Sequence, residues 1–268
     1  MRTKLSNALV VFAAAATVAA CSPTVQTTSG AAYIERYQTP TAQTATGFRK
    51  KIREAALVEP TLRFPARIGL ARVEGGRLTP IPLGEAEAWL KTKSKIGPWF
   101  GEMVPISPLI AALAAGDVGH AKKKDDRPYW RRQRVDLDHL VQRIRLGAAR
   151  QHVDAVLIYE VIGRSRESGT PLNVADLTII GAYLFPSRVL KAKGFASALL
   201  VDVRNGYPYG TAQTVVDRKD LAPTVWSTEK TRLLGPAAKT AAVVKLTADV
   251  EKMMYQLYAK LPQQRATQ

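Results

Sequence analysis

Three histidines, one cysteine and an adjacent pair of aspartates are the side chains of this 268-residue chain whose types could do chemistry. His139 and His152 stand thirteen residues apart. That is about 220° around a helix of 3.6 residues per turn, so one helix cannot aim both at one ion. No H-E-x-x-H run occurs, and a lone cysteine cannot build a thiolate zinc site. Gly163-Arg164-Ser165-Arg166-Glu167 begins like a nucleophile elbow but lacks the closing glycine. There is no P-loop lysine motif and no G-x-G-x-x-G. Asp125 and Asp126 could form an acid/base pair, but three lysines precede them, and such a run reads as a solvated loop. These residues predict a protein that is not an enzyme and that uses no metal and no cofactor.

The cysteine points to a different chemistry. Residues 1–7 carry Arg2 and Lys4 and no acid, and residues 8–20 are an unbroken run of thirteen apolar and small residues. A span across a hydrocarbon core needs about 20 such residues, so the run is too short to cross. A basic start, an apolar run and a small-residue end make an export signal. The run closes with Val18-Ala19-Ala20-Cys21. This resembles a bacterial lipobox, with Val18 where that pattern prefers Leu. The resemblance implies cleavage before Cys21, a thioether-linked diacylglycerol on its sulfur and an acylated amino group. Acyl burial contributes about 0.8 kcal/mol per CH₂, so several chains anchor a protein without a transmembrane helix. The other reading is an ordinary signal cleaved after Ala20, which leaves an exposed thiol in an oxidising compartment. Ser22, not Asp, follows the cysteine. By resemblance to the sorting pattern of Gram-negative lipoproteins, this implies the outer membrane, with the domain facing the periplasm.

The charge balance is 39 Lys+Arg against 22 Asp+Glu, a net +17. Such a balance raises nucleic acid as a partner, and the export signal argues against it. Residues 121–150 hold ten Lys or Arg against four Asp. Within them Lys122, Lys123 and Lys124 lie to one side of Tyr129 and Trp130, and Arg131 and Arg132 to the other. Cations interleaved with aromatics also suit anionic lipid headgroups, lipopolysaccharide or peptidoglycan carboxylates. Lys122, Lys123, Lys124, Trp130, Arg131 and Arg132 are therefore the candidate anionic-surface site, against the plainer reading of a solvated loop and helix face.

The elements that would carry these residues follow from periodicity. Residues 22–47 are rich in Thr, Ser, Gln, Ala, Gly and Pro and read as a flexible tether with a reach of about 25–30 Å. Residues 62–73 alternate as a strand, Gly75-Gly76 turns the chain, and residues 77–82 suit a short return strand. Helices are expected over 84–96, 108–115 and from 135 or 136 to 150, with an edge strand over 103–106. Residues 153–162, 175–185 and 196–203 read as strands, and Asn205-Gly206 is a hairpin cue leading into 207–216. Residues 236–261 read as a long helix with Pro236 in its first turn. The expected fold is α+β: a single mixed, largely antiparallel sheet with helices packed on one face and a long C-terminal helix. The domain plan is a signal peptide (1–20), a lipidated tether (21–60), a periplasmic α+β domain (61–262) and a tail (263–268).

Leu62-Arg63-Phe64-Pro65-Ala66-Arg67-Ile68-Gly69-Leu70 looks like the first domain strand of rhombotarget-type lipoproteins. Residues 153–159, 177–186 and 198–206 look like the later framework of that family. More distantly the arrangement is similar to the curli-secretion lipoprotein and to the amino-terminal domain of TolB. These resemblances bring no catalytic residue. They imply an outer-membrane-anchored lipoprotein whose domain acts by binding, as an accessory or scaffold in envelope assembly. Its partners would be the membrane, through the anchor, and an envelope protein or anionic envelope surface. The alternatives are a subunit of an oligomeric export channel and a cell-wall-acting enzyme.

Overall fold

The structure is a computed structural model and describes residues 22–36, 47–97, 99–116, 137–169, 188–222 and 224–266. Its strands are β1 (Thr24–Val25), β2 (Arg67–Glu74), β3 (Arg77–Thr79), β4 (Glu102–Pro105), β5 (Ala155–Gly169), β6 (Arg188–Asp202) and β7 (Pro208–Ala222). Its helices are α1 (Gly30–Glu35), α2 (Phe48–Ala56), α3 (Leu83–Ile96), α4 (Pro108–Gly116), α5 (Leu137–Arg150) and α6 (Thr224–Ala266). The seven strands form one sheet in the order β1-β7-β6-β5-β2-β3, with β4 also paired to β2. β2 runs parallel to β4 and β5, and the remaining pairs are antiparallel. The expected α+β class, with one mixed, largely antiparallel sheet and a long C-terminal helix, is what the chain adopts.

Alternation divides each strand between two faces. Ile68, Leu70, Leu157, Tyr159, Ala198 and Leu200 point to an inner face and pack with α3 and α6 through Trp89, Leu246, Val250, Met253 and Leu257. Ala71, Val73, Val156 and Val201 point to the outer face, where α5 adds a smaller cover with Leu140, Ile144 and Ala148. Helices therefore form the main layer on one face, as expected, and α5 also shields a corner of the other. α4 packs on α5 so closely that a side chain at Gly147 would meet Ala111 Cα at 2.9 Å.

Four features differ from expectation. β2 begins at Arg67, after the cis Phe64-Pro65 bond, so residues 62–66 reach the sheet as a loop. β5, β6 and β7 each run fifteen residues, well past the expected ends. At about 3.3 Å per residue each arm is about 50 Å long. The expected strand 175–185 lies outside the described residues. α6 begins at Thr224, so Pro236 sits inside a 43-residue helix and not in its first turn. An interior proline removes one helical hydrogen bond and costs about 3 kcal/mol. Here the flanking helix packs along β5, β6 and β7, and Leu190 and Ala192 of β6 are buried on that face.

The expected flexible tether is the fourth difference. In its described part, Thr24 and Val25 pair with Thr211 and Gly210 as an edge strand of the sheet. Ser29 caps α1 by accepting from the Ala32 amide, and Gly30 is buried against Leu57. This stretch is docked on the domain, because hairpin residues distant in sequence supply partners for its backbone.

Candidate functional site

The inner face contains the most concentrated buried charge among the described residues. Arg72 on β2 donates to Glu85 of α3 at 2.9 and 3.2 Å and to Glu74 at 2.7 Å. Tyr159 of β5 donates to Glu85 at 2.9 Å, and Lys239 of α6 pairs with Glu74. Burial opposes the charge on Arg72, but its bonds to Glu85 and Glu74 outweigh that and hold it above its ordinary value. The bond from Lys239, then that from Arg72, holds the Glu74 carboxyl below the usual range. Burial, reinforced by Glu85, raises the Tyr159 phenol strongly. Each group faces another group of the cluster, Arg72 and Glu85 are buried, and no described depression opens onto them. The geometry ties β2, α3, β5 and α6 together.

A second polar cluster holds the N-terminal segment. Gly206, at φ 79°, lets the β6–β7 hairpin turn, as Asn205-Gly206 predicts. The fully buried Asp202 carboxylate accepts from the Arg204 amide at 2.8 Å, from Thr61 Oγ1 at 2.8 Å and from the Tyr209 hydroxyl at 2.7 Å. The Tyr209 oxygen in turn accepts from the amides of Thr61 and Leu62. Tyr207 donates to the Thr28 carbonyl, and Asn205 Nδ2 to the Glu59 carbonyl. Glu59 receives the Ser29 hydroxyl and the Ala31 amide. Desolvation raises both phenols, Tyr207 to about 12. The tyrosines of Tyr207-Pro208-Tyr209-Gly210 are thus packing and clasping residues.

Among the described residues no element covers the outer face beyond α5, and strand register orders it into rows. Ile162, Phe195 and Val215 lie side by side across β5, β6 and β7, with 44, 36 and 41% of their surface exposed. On the α5 side of this apolar row stand Glu160, Ser197 and Gln213. These two rows line a shallow depression of about 280 Å³. On its other side come Arg164, Lys193 and Asp217, then Arg166, Lys191 and Lys219, all exposed. Lys193 pairs with Asp217 at 3.3 Å. A second depression, about 440 Å³, joins this face to Leu140 and Val141 of α5, and Ser22 lines it together with Gln213.

Cys21 and the basic residues Lys122, Lys123, Lys124, Trp130, Arg131 and Arg132 lie outside the described residues. His139 lies on α5, and His152 follows that helix at φ 54°. Among the described residues no group of three or more His, Cys, Asp or Glu is placed to hold a metal ion. No helix among them is long and apolar enough to cross a membrane. The rows of the open face were not anticipated. Their signal is present in Lys191-Ala192-Lys193-Gly194-Phe195, where every second residue is charged or aromatic, but a strand begun at residue 196 leaves it out.

No protein-family model matches the chain, and no curated protein matches it in sequence. Among solved structures, a PelC dodecamer from Paraburkholderia phytofirmans is similar at 12% identity and a TM-score of 0.31, over 72% of this chain and 93% of that one. The lipoprotein GNA1162 from Neisseria meningitidis is similar at 14% identity and a TM-score of 0.30, over 65% and 99%. The hypothetical protein CT253 from Chlamydia trachomatis is similar at 10% identity and a TM-score of 0.27, over 71% and 99%.

Proposed function

We propose that this chain is an outer-membrane lipoprotein, anchored through Cys21, whose α+β domain acts by binding as an accessory in envelope assembly. The single observation that carries this reading is the closeness of the domain to the lipobox-like cysteine. Ser22 already lines the outer-face depression, and Thr24 is paired in the sheet. A cleavage before Cys21 would leave a mature chain that begins at the folded edge. Diacylglycerol on the sulfur would then hold the whole domain at the bilayer. A binding role is favoured over catalysis because the buried polar clusters are internally satisfied and bear on neighbouring elements, while the exposed chemistry is a charged and apolar surface. The partner is an envelope protein or an anionic envelope surface, and the basic stretch around Trp130, Arg131 and Arg132 belongs with that reading.

The test is acyl labelling in a Gram-negative host. The wild-type chain is expected to take up palmitate and to sediment with outer membranes, and Cys21→Ser to lose the label and appear in the soluble periplasmic fraction. Equal labelling of Cys21→Ser, or an unlabelled wild-type chain, would overturn the anchor. Sedimentation of the labelled wild-type protein with inner membranes would overturn the placement.

A further inference from the structure

We infer that the open half of the outer face, the Ile162–Phe195–Val215 row with its flanking cations, is the surface that lies on an anionic lipid membrane. The inference rests on the anchored reading above and adds which side of the domain meets the bilayer. Three observations converge on it.

The first is the path of the chain toward its anchor. β1 runs antiparallel to β7, with Thr24 opposite Thr211 and Val25 opposite Gly210. Stepping back from Thr24 therefore moves along β7 toward Gln213 and Val215. Ser22 has made that step, since it shares the outer-face depression with Gln213. Cys21 is one peptide unit further, about 3.8 Å between α-carbons. An acyl chain on that residue is tethered one residue from Ser22, at the Gln213 side of the depression, and the docked N-terminal strand leaves little slack to carry the domain away.

The second is charge. Arg164, Lys193, Arg166, Lys191 and Lys219 occupy two consecutive rows, against Asp217 in the same rows and Glu160 beyond the apolar one. Lysine and arginine rows next to a membrane are attracted by anionic headgroups. The third is the apolar row itself. One aromatic and two β-branched side chains, each more than a third exposed, stand out between a polar row and a cationic row. Apolar side chains bordered by cations suit the boundary between headgroups and acyl chains. The same pattern is wrong for a membrane-spanning strand, whose lipid-facing positions must stay apolar along about 9–11 residues. The surface fits on a bilayer and not through it.

The experiment uses the full mature chain from residue 21 with Cys21→Ser, so that binding does not depend on an acyl group. Vesicles are phosphatidylethanolamine with 30% phosphatidylglycerol, against phosphatidylcholine alone, in 100 mM salt. Sedimentation is expected to show binding to the anionic vesicles only. Arg166→Glu/Lys191→Glu/Lys219→Glu is expected to weaken it at least tenfold. An equal charge change on the helix-covered side, Lys91→Glu/Arg218→Glu/Lys260→Glu, should change it less than threefold. Cys21→Ser removes the only cysteine, so Val215→Cys can carry a single environment-sensitive dye. Its emission should shift to the blue on anionic vesicles, and a dye at Lys91→Cys should not shift. Circular dichroism of each variant separates a lost surface from a lost fold.

Equal effects of the two charge reversals would overturn the inference. So would a Val215 dye that stays in water while the protein is bound, the result expected if residues 122–132 alone hold the membrane. Crosslinking of labelled Val215 to a second copy without vesicles would reassign the face to self-association. Loss of palmitate labelling in cells overturns the anchor alone, and failure of these vesicle tests overturns the face alone.

Discussion

The Tyr209 hydroxyl donates to the buried Asp202 carboxylate across 2.7 Å, and its oxygen is also the acceptor for the Leu62 amide at 2.7 Å. A residue of β7 and one at the end of β6 thereby close the hairpin and hold the strand approach to β2. The same clasp, through Thr61 and Asn205, keeps residues 59–62 beside the hairpin tip.

Tyr209→Phe removes one donor and leaves two amides without their acceptor. The Leu62 amide is buried and the Thr61 amide only part-buried. An unsatisfied buried group costs about 1–3 kcal/mol and a part-buried one less, so urea unfolding should show a loss of about 2–4 kcal/mol. Limited proteolysis should then cut within residues 22–62 before it cuts the sheet. An unchanged cleavage order would mean that the edge strand β1 alone holds this segment.

The Arg72–Glu85 pair predicts a different pattern. Glu85→Ala leaves a buried guanidinium and the Tyr159 hydroxyl without their main partner, and a broken buried pair costs about 3–5 kcal/mol. Replacing the three buried members with apolar side chains, in Arg72→Met/Glu85→Leu/Tyr159→Phe, leaves Glu74 paired with Lys239 and should recover most of that loss, since a packed apolar substitute for a buried ion pair is often neutral. Thermal or urea unfolding of the two variants checks the order.

Gly194 marks where α6 crosses the sheet. A β-carbon there would come within 2.6 Å of the Ala238 carbonyl carbon, against helix backbone that cannot move alone. Gly194→Val should therefore cost about 3 kcal/mol or prevent folding. Gly116→Ala, where an added methyl meets nothing within 4 Å, should stay within about 0.5 kcal/mol.

Stability should fall at both ends of the pH range. Tyr207 is raised to about 12 in the folded chain, and Tyr159 and Tyr209 are raised as well. A phenol raised on folding contributes stability in full below its unfolded value near 10 and loses it as pH climbs through its folded value. Glu74 is lowered below 4.5, so its contribution is present above that pH and is lost as pH falls through the folded value. Chemical unfolding at pH 3, 7 and 11 should give a maximum at the middle value. Tyr207→Phe should flatten the alkaline limb.

Much of this architecture is legible locally. The apolar run before Cys21, the alternation in β2, the glycine turn at Gly75-Gly76, the Asn205-Gly206 hairpin and the stripe Ala238, Ala242, Leu246, Val250, Met253, Leu257 depend on neighbours a few residues apart. Their periods of 2 and 3.6 are properties of the backbone, so the sequence by itself determined the class of the fold, its long final helix and the export-like start. Tertiary structure decided the rest, because the partners are distant. Polar residues 22–36 look like a tether until Thr24 meets Thr211 and Tyr207 meets Thr28, 187 and 179 residues away. Pro236 looks like a helix start until packing along the sheet carries the helix through it. Ile162, Phe195 and Val215 are isolated apolar residues in the sequence. Only the pairing register of three strands sets them in one row beside five cations, since register decides which alternate side chains share a face.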